Sequence, residues 1–212
     1  VIRSWRLFLA ARSARTALVL AAVVVLVSLL ERGTVIEIRF VVTEPSRSTM
    51  LWEALPAIYG TLVGALIAPR MHSWERTATA PLRWYYAATT TVALATPLLG
   101  PWLVHVTLPA QTSGTGILFN VLMITAIGLL ATCLLGTIIG PLIALSTYLT
   151  VILAQHAARD LTAWLPFSHS LAEPTPHTWE TLAAATLAIA AWTITRGQSA
   201  LARAVQRDSV GA

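Results

Sequence analysis

The chain has 212 residues, 56% of them hydrophobic and 11% charged, with a formal net charge of +5. Soluble domains carry about 25% charged residues, whereas here no Asp, Glu, Lys or Arg occurs between Trp84 and Ala158. That stretch excludes a water-soluble fold, because no surface of that size goes without charge, and it must face lipid or membrane-buried protein.

Residues 1–15 (VIRSWRLFLAARSAR) place Ile2, Trp5 and Leu9 at helical spacing, with Arg3 and Arg6 turned away from them. This pattern predicts an amphipathic interfacial helix whose arginines meet lipid phosphates. Arg12 and Arg15 interrupt its apolar face, so a bend is expected near Ala10 or Ala11. The first apolar span covers 16–30. Residues 34–42 then alternate, Ile36, Ile38, Phe40 and Val42 against Glu37 and Arg39, which predicts an extracellular ribbon.

The second span, 53–69, carries Gly60-x-x-x-Gly64, a spacing that lets a neighbouring backbone approach closely. Pro69 ends it, since the ring cannot continue helical bonding. The connection 70–83 concentrates charge in an otherwise apolar chain. Between Pro69 and Pro81 there is room for a short helix, Arg70 to Ala80, with Trp74 as an aromatic anchor beside Glu75 and Arg76.

Spans three to five follow at 84–107, 116–135 and 138–157, the last two joined by a tight uncharged turn, LLGTIIGP. Gly136 and Gly140 repeat the spacing of Gly60 and Gly64 and are expected on one helix face. Cys133 reads as a small apolar filler. Residues 158–180 contain Trp164 and Trp179 and predict a short interfacial helix followed by a loop. His156 and Asp160, with His169 and His177, are conceivable metal ligands, but solvated histidines are the stronger reading, so no metal site is assigned. The sixth span is 180–195, and a basic tail follows. The shortest apolar cores, about fifteen residues, rise only ~22 Å against a hydrocarbon thickness of ~30 Å, a difference that snorkelling by Arg15 and Arg196, or oblique packing in a bundle, would make up.

The fold class expected is therefore an all-α integral membrane protein with six transmembrane helices and an N-terminal interfacial helix. With both termini cytoplasmic, Arg3, Arg6, Arg12, Arg15, Arg70, Arg76, Arg83, Arg196, Arg203 and Arg207 lie inside, and Arg32, Arg39, Arg47 and Arg159 outside. The acidic residues Glu31, Glu37, Glu44, Glu53, Asp160, Glu173 and Glu180 fall outside.

No basic stripe interleaved with aromatics points to nucleic acid. All fourteen basic residues are arginine, so the chain cannot carry the lysine of a phosphate-binding P-loop. Neither paired carboxylates nor G-x-S-x-G nor H-E-x-x-H occurs, so an enzyme is not expected. Spans three to five lack the ionisable residues of a proton relay.

These features together resemble the type-2 ABC exporter permeases. The residues that carry the resemblance are Arg3 to Arg15, Glu75-Arg76-Thr77 followed by Pro81-Leu82-Arg83, Leu161 to Phe167, and Arg196 to Asp208. The resemblance implies a bacterial plasma-membrane permease working with two cytoplasmic ABC ATPase subunits and a second permease copy or a sister permease. ATP and Mg would be bound by the ATPase, with no cofactor in this chain. His72, Trp74, Glu75, Arg76 and Thr77 would form the ATPase-coupling segment. The substrate would be hydrophobic or amphipathic (a peptide antibiotic, drug or lipid), meeting apolar surface and the hydroxyls of Thr89, Thr90, Thr91, Thr125, Ser146, Thr147 and Tyr148. A non-transporting membrane scaffold that recruits a cytoplasmic partner is the alternative.

Overall fold

The computed structural model describes residues 2–31, 33–38, 47–69, 82–107, 114–157 and 177–201. Helix α1 (Ile2–Ala10) is followed by α2 (Ala14–Leu30), strands β1 (Val35–Ile38) and β2 (Arg47–Met50), and α3 (Leu51–Ile67). Next come α4 (Leu82–Ala95), one turn of 3-10 helix (Thr96–Leu98) and α5 (Leu99–Thr107) as a single interrupted rod. Helices α6 (Gly114–Leu135), α7 (Ile139–Ala157) and α8 (Thr178–Thr195) complete the order. Among the described residues the fold is helical except for the small ribbon, in which β1 and β2 pair antiparallel, Val35 opposite Met50 and Ile38 opposite Arg47. The alternation at 34–38 thus becomes a strand, while 39–46 lies outside the described residues.

Each apolar segment read from sequence coincides with a helix, but five of the helices begin two residues earlier. The sequence reading opened the second and sixth spans on Glu53 and Glu180, and the first and third directly after Arg15 and Arg83; helical hydrogen bonding extends each of the four two residues further back. Leu82–Thr107 and Thr115–Leu135 are long and apolar enough to cross a membrane, and Ala14–Leu30, Leu51–Ile67 and Ile139–Ala154 are apolar but shorter. The starts of α2, α3 and α8 have no side-chain cap. Their stability therefore comes from packing and an apolar surround rather than from capping.

Helix α6 is the centre, with its most extensive contacts to α3, α8 and α7. Close approach of α3 and α6 depends on interlocked small residues. A Cβ on Gly60 would run into the Thr125 hydroxyl, and one on Gly64 would come within 2.8 Å of the Thr132 hydroxyl. From the other side, a Cβ on Gly128 would lie 2.9 Å from the Thr61 Cα and 3.0 Å from the Gly60 carbonyl oxygen. Thr125 and Thr132 turn their hydroxyls onto the carbonyls of Val121 and Gly128, at 2.6 and 2.7 Å, so no polar group is stranded in the seam. Two large side chains tie neighbouring helices through their polar tips. Tyr59 donates to the Ala17 carbonyl (3.0 Å), and the buried Trp192 indole donates to the Leu129 carbonyl (2.9 Å).

Gly136 and Gly140 do not share a helix face. Gly136 has φ +96° and lies just past the end of α6, so its role is to turn the chain. Gly140 opens α7 and lets its backbone lie against Thr132, whose N and Cα would be 2.5 Å from a Cβ there. Identical spacing carries a helix seam at 60–64 and a reverse turn at 136–140.

A second seam lies where α2, α3 and α5 meet. Pro56, Pro97, Gly100 and Pro101 are all buried here, and a Cβ on Gly100 would lie 3.3 Å from the Ser28 hydroxyl and 3.6 Å from Pro56. Ser28 is wholly buried, and its hydroxyl has no hydrogen-bond partner among the described residues. An orphaned buried hydroxyl costs about 1–3 kcal/mol. Ser28→Ala is therefore expected to raise the unfolding midpoint of the purified protein, corresponding to about 1 kcal/mol of added stability; an unchanged or lowered midpoint would show that the hydroxyl is satisfied.

Candidate functional site

Four contacts place the chain connections at one end of the bundle. The Ser13 amide donates to the Leu66 carbonyl (3.2 Å), Gly197 packs on Pro69, Cys133 meets the Thr195 hydroxyl (3.2 Å), and α1 lies against the start of α4. Arg6, Arg12, Arg15, Arg83 and Arg196 all belong to this end. The opposite end holds the ribbon and the carboxylates of Glu31, Glu53 and Glu180. We call these the basic end and the ribbon end.

The basic end is organised around a cluster of aromatic rings. On α1, the i, i+3 spacing of Trp5 and Phe8 stacks their rings 5.6 Å apart. From α4, Tyr85 meets Trp5 edge-on at 5.1 Å, and Tyr86 meets Phe8 edge-on at 5.4 Å. Such edge-to-face pairs contribute beyond their buried area because ring edges and faces differ in charge.

The Arg12 guanidinium enters this cluster and is only 5% exposed. It lies 3.5 Å from the Phe8 ring centroid and 4.9 Å from that of Tyr86, and it donates to the Phe8 carbonyl at 2.8 Å. Ring faces and a carbonyl thus take the place of water around the cation. Sequence reasoning treated Arg12 as a charge that spoils the apolar face of α1. The helix instead stops at Ala10, and the turn at 11–13 rotates Arg12 inward. The available signal was Phe8, one helical turn before it, together with the Tyr85-Tyr86 pair.

This cluster sits at both entrances to the 70–81 segment. Leu66 and Pro69 end one flank, and Leu82 to Tyr86 begin the other. The proposed coupling residues His72, Trp74, Glu75, Arg76 and Thr77 themselves lie outside the described residues. So do the outer element at 161–167 and the tail beyond 201, and the Arg3 side chain is not described either. Trp5 is half-buried in the aromatic cluster, whereas Arg6 is exposed, consistent with its place on the polar face of α1.

Among the described residues no cluster of His, Cys, Asp or Glu has the grouping needed to hold a metal. Five of the seven hydroxyls read as substrate-facing donate within their own helices. Thr90 and Thr125 are buried, and Thr89, Thr90, Thr91, Thr125 and Thr147 all donate to the carbonyl four residues back. Tyr148 is buried as well, packed on Ala57, Met123 and Ile124.

Glu53 is the acidic residue whose burial charge counting did not foresee. It belongs to the ribbon end, but it turns into the bundle and is 6% exposed. The sequence signal was its position in the first turn of an apolar helix, next to Trp52, which is fully buried.

Neither a family model nor a curated protein nor a solved structure matches the chain.

Proposed function

We propose that this chain is the membrane-embedded permease subunit of an ATP-driven exporter. Six helices, α2, α3, α4–α5, α6, α7 and α8, serve as its spans, with the basic end in the cytoplasm of a bacterial cell. The 70–81 segment docks on a separate ABC ATPase, which binds ATP and Mg, and a second permease copy or a sister permease completes the complex. The substrate is hydrophobic or amphipathic.

The observation that supports this reading is the attachment of α1 to both flanks of the 70–81 segment. The Ser13–Leu66 hydrogen bond joins the turn after α1 to the end of α3, and Trp5 and Phe8 join α1 itself to Tyr85 and Tyr86 at the start of α4. A displacement delivered to 70–81 by a soluble motor is then shared by α1, α3 and α4 as one packed unit. Movement of such a unit against the α6 seam is the kind of rigid-body shift that converts ATP binding into altered access.

The test is ATPase pull-down beside substrate efflux, with the chain co-expressed with its candidate ATPase. Trp74→Ala removes the proposed anchor, and truncating a buried aromatic at an interface costs about 2 kcal/mol or more. It is expected to abolish most association, whereas Arg83→Ala, at an exposed position beside Trp84, leaves it intact. Glu75→Ala is expected to keep assembly and lower efflux per ATP hydrolysed. Parent-like assembly and efflux in all three variants would overturn the coupling role. Assembly of the parent without any efflux would favour the scaffold.

A further inference from the structure

Helices α4 and α5 form one rod, but the join between them is weak. The turn Thr96–Leu98 is 3-10 rather than α, and a 3-10 stretch inside a longer helix commonly marks a hinge. Pro97 and Pro101 have no N–H, so the carbonyls of Ala93 and Pro97 find no donor four residues on. Beyond the break α5 has only nine residues. It packs chiefly on α2, and it turns Leu99, Trp102 and Val106 outward.

Two polar atoms on or against α5 are stranded. Ser28 of α2 is wholly buried, its hydroxyl has no partner among the described residues, and it faces Gly100, where a Cβ would lie 3.3 Å from that hydroxyl. On α5 itself, the buried Nδ1 of His105 has no partner among the described residues either. One nitrogen of a neutral imidazole donates and the other accepts, so each tautomer forfeits a bond at Nδ1. Native interiors pair nearly all such atoms, and an apolar surround offers no water in their place. The seat of α5 against α2 therefore leaves hydrogen bonds unmade. The rod itself holds the acceptor that Ser28 lacks. Helical carbonyls point toward the C-terminal end, so that of Pro97 is directed at Gly100 and Pro101, the residues beside Ser28, and Pro101 cannot donate to it.

We propose that α5 is a hinged segment with a second seat, reached by a swing about Thr96–Leu98 that brings the Pro97 carbonyl onto the Ser28 hydroxyl. In the seat seen here the hydroxyl is stranded against Gly100. In the second it donates to Pro97, and the seam of Ser28, Pro56 and Gly100 between α2, α3 and α5 opens at the ribbon end. His105, nearer the free end of α5, travels further and leaves the place where its Nδ1 is unpaired. The inference concerns the fold and stands whether or not the chain exports a substrate.

The experiment is a distance measurement by double electron–electron resonance on the purified full chain in lipid nanodiscs. Spin labels are attached through Val106→Cys and Leu182→Cys in a Cys133→Ser background, both labelled positions being exposed. Val106 moves with α5, and Leu182 on α8 serves as the fixed reference. The parent is expected to show two distances. Ser28→Ala removes the donor and Pro101→Ala supplies the N–H that occupies the Pro97 carbonyl, so each is expected to lower the second population by at least about fivefold. Thr91→Ala, whose hydroxyl is already bonded to the Ala87 carbonyl within α4, is expected to leave both populations unchanged. A single distance in the parent overturns the proposal, as does a second distance that either variant leaves at its parent level. Loss of the second distance in Thr91→Ala also overturns it, because it assigns the motion to α4 at large rather than to the break. Ser28→Ala is the more stable protein by the argument above, so its single distance is not the mark of a damaged fold. No ATPase is present, so failure here leaves the export reading untouched.

Discussion

Gly128→Val is expected to be the most damaging single change in the bundle, lowering stability by about 3 kcal/mol or more in detergent unfolding. The reason is what a side chain would meet. The atoms within 3.1 Å of a Cβ at Gly128 are the Thr61 Cα, the Gly60 carbonyl oxygen and the Thr61 carbonyl oxygen, all backbone of α3. Backbone cannot rotate aside, so α3 and α6 must separate along the contact that holds the core together. Gly60→Ala differs in kind, because it meets the Thr125 side chain first. Thr125→Ala in the same chain is therefore expected to recover part of the Gly60→Ala loss, whereas no single side-chain truncation recovers Gly128→Val. A double-mutant cycle showing simple addition for Gly60 and Thr125 would contradict the interlocked seam.

Arg12→Ala is expected to cost about 2–4 kcal/mol, against less than about 0.5 kcal/mol for Arg15→Ala, which removes an exposed arginine only three residues later. The guanidinium fills the space between Phe8 and Tyr86 and donates to the Phe8 carbonyl. Its loss removes two ring contacts, a charged hydrogen bond and the packing of its stem. Arg12→Lys should recover only part of this, since an ammonium is compact and more strongly hydrated than the planar guanidinium. Near-ultraviolet circular dichroism checks the mechanism directly. Trp5, Phe8, Tyr85 and Tyr86 are held in fixed contact, so Arg12→Ala should diminish that signal and Arg15→Ala should not. Equal costs for the two arginines would show that Arg12 does not anchor α1.

The helices were legible because long apolar runs leave the backbone one way to satisfy itself. The bend after α1 was legible too, since Arg12 follows directly on an apolar face. The sequence did not reveal which small residues meet. Gly60 and Gly64 advertise a close approach, but their partners Thr125, Gly128 and Thr132 sit some sixty-five residues further on and become recognisable only once α3 and α6 are placed side by side. The spacing of Gly136 and Gly140 misled because a glycine pair reads the same whether it lines a helix or turns a chain. Buried charge was the harder matter. Composition treats an arginine or glutamate as exposed until a structure supplies Phe8 and Tyr86 around one, or turns the other into the bundle. The coupling segment was readable only as a concentration of charge between two prolines, and that remains the basis on which it is proposed.

The central position of α6 bears on how the protein is made. Synthesis delivers α1 to α5 before α6 exists, yet the glycine face of α3 and the inner side of α4 close onto α6 or onto α8. Until residue 135 has left the ribosome, those early helices lack the neighbour that fills their backbone-deep grooves. They are made in chain order, but their mutual fit is settled afterwards, when α6 drops between them and α8 seals Trp192 over Leu129. Biogenesis of this bundle is thus an assembly from both halves of the chain, and a nascent chain arrested before residue 114 holds five of its helices without the neighbour that three of them, α3, α4 and α5, are shaped to receive.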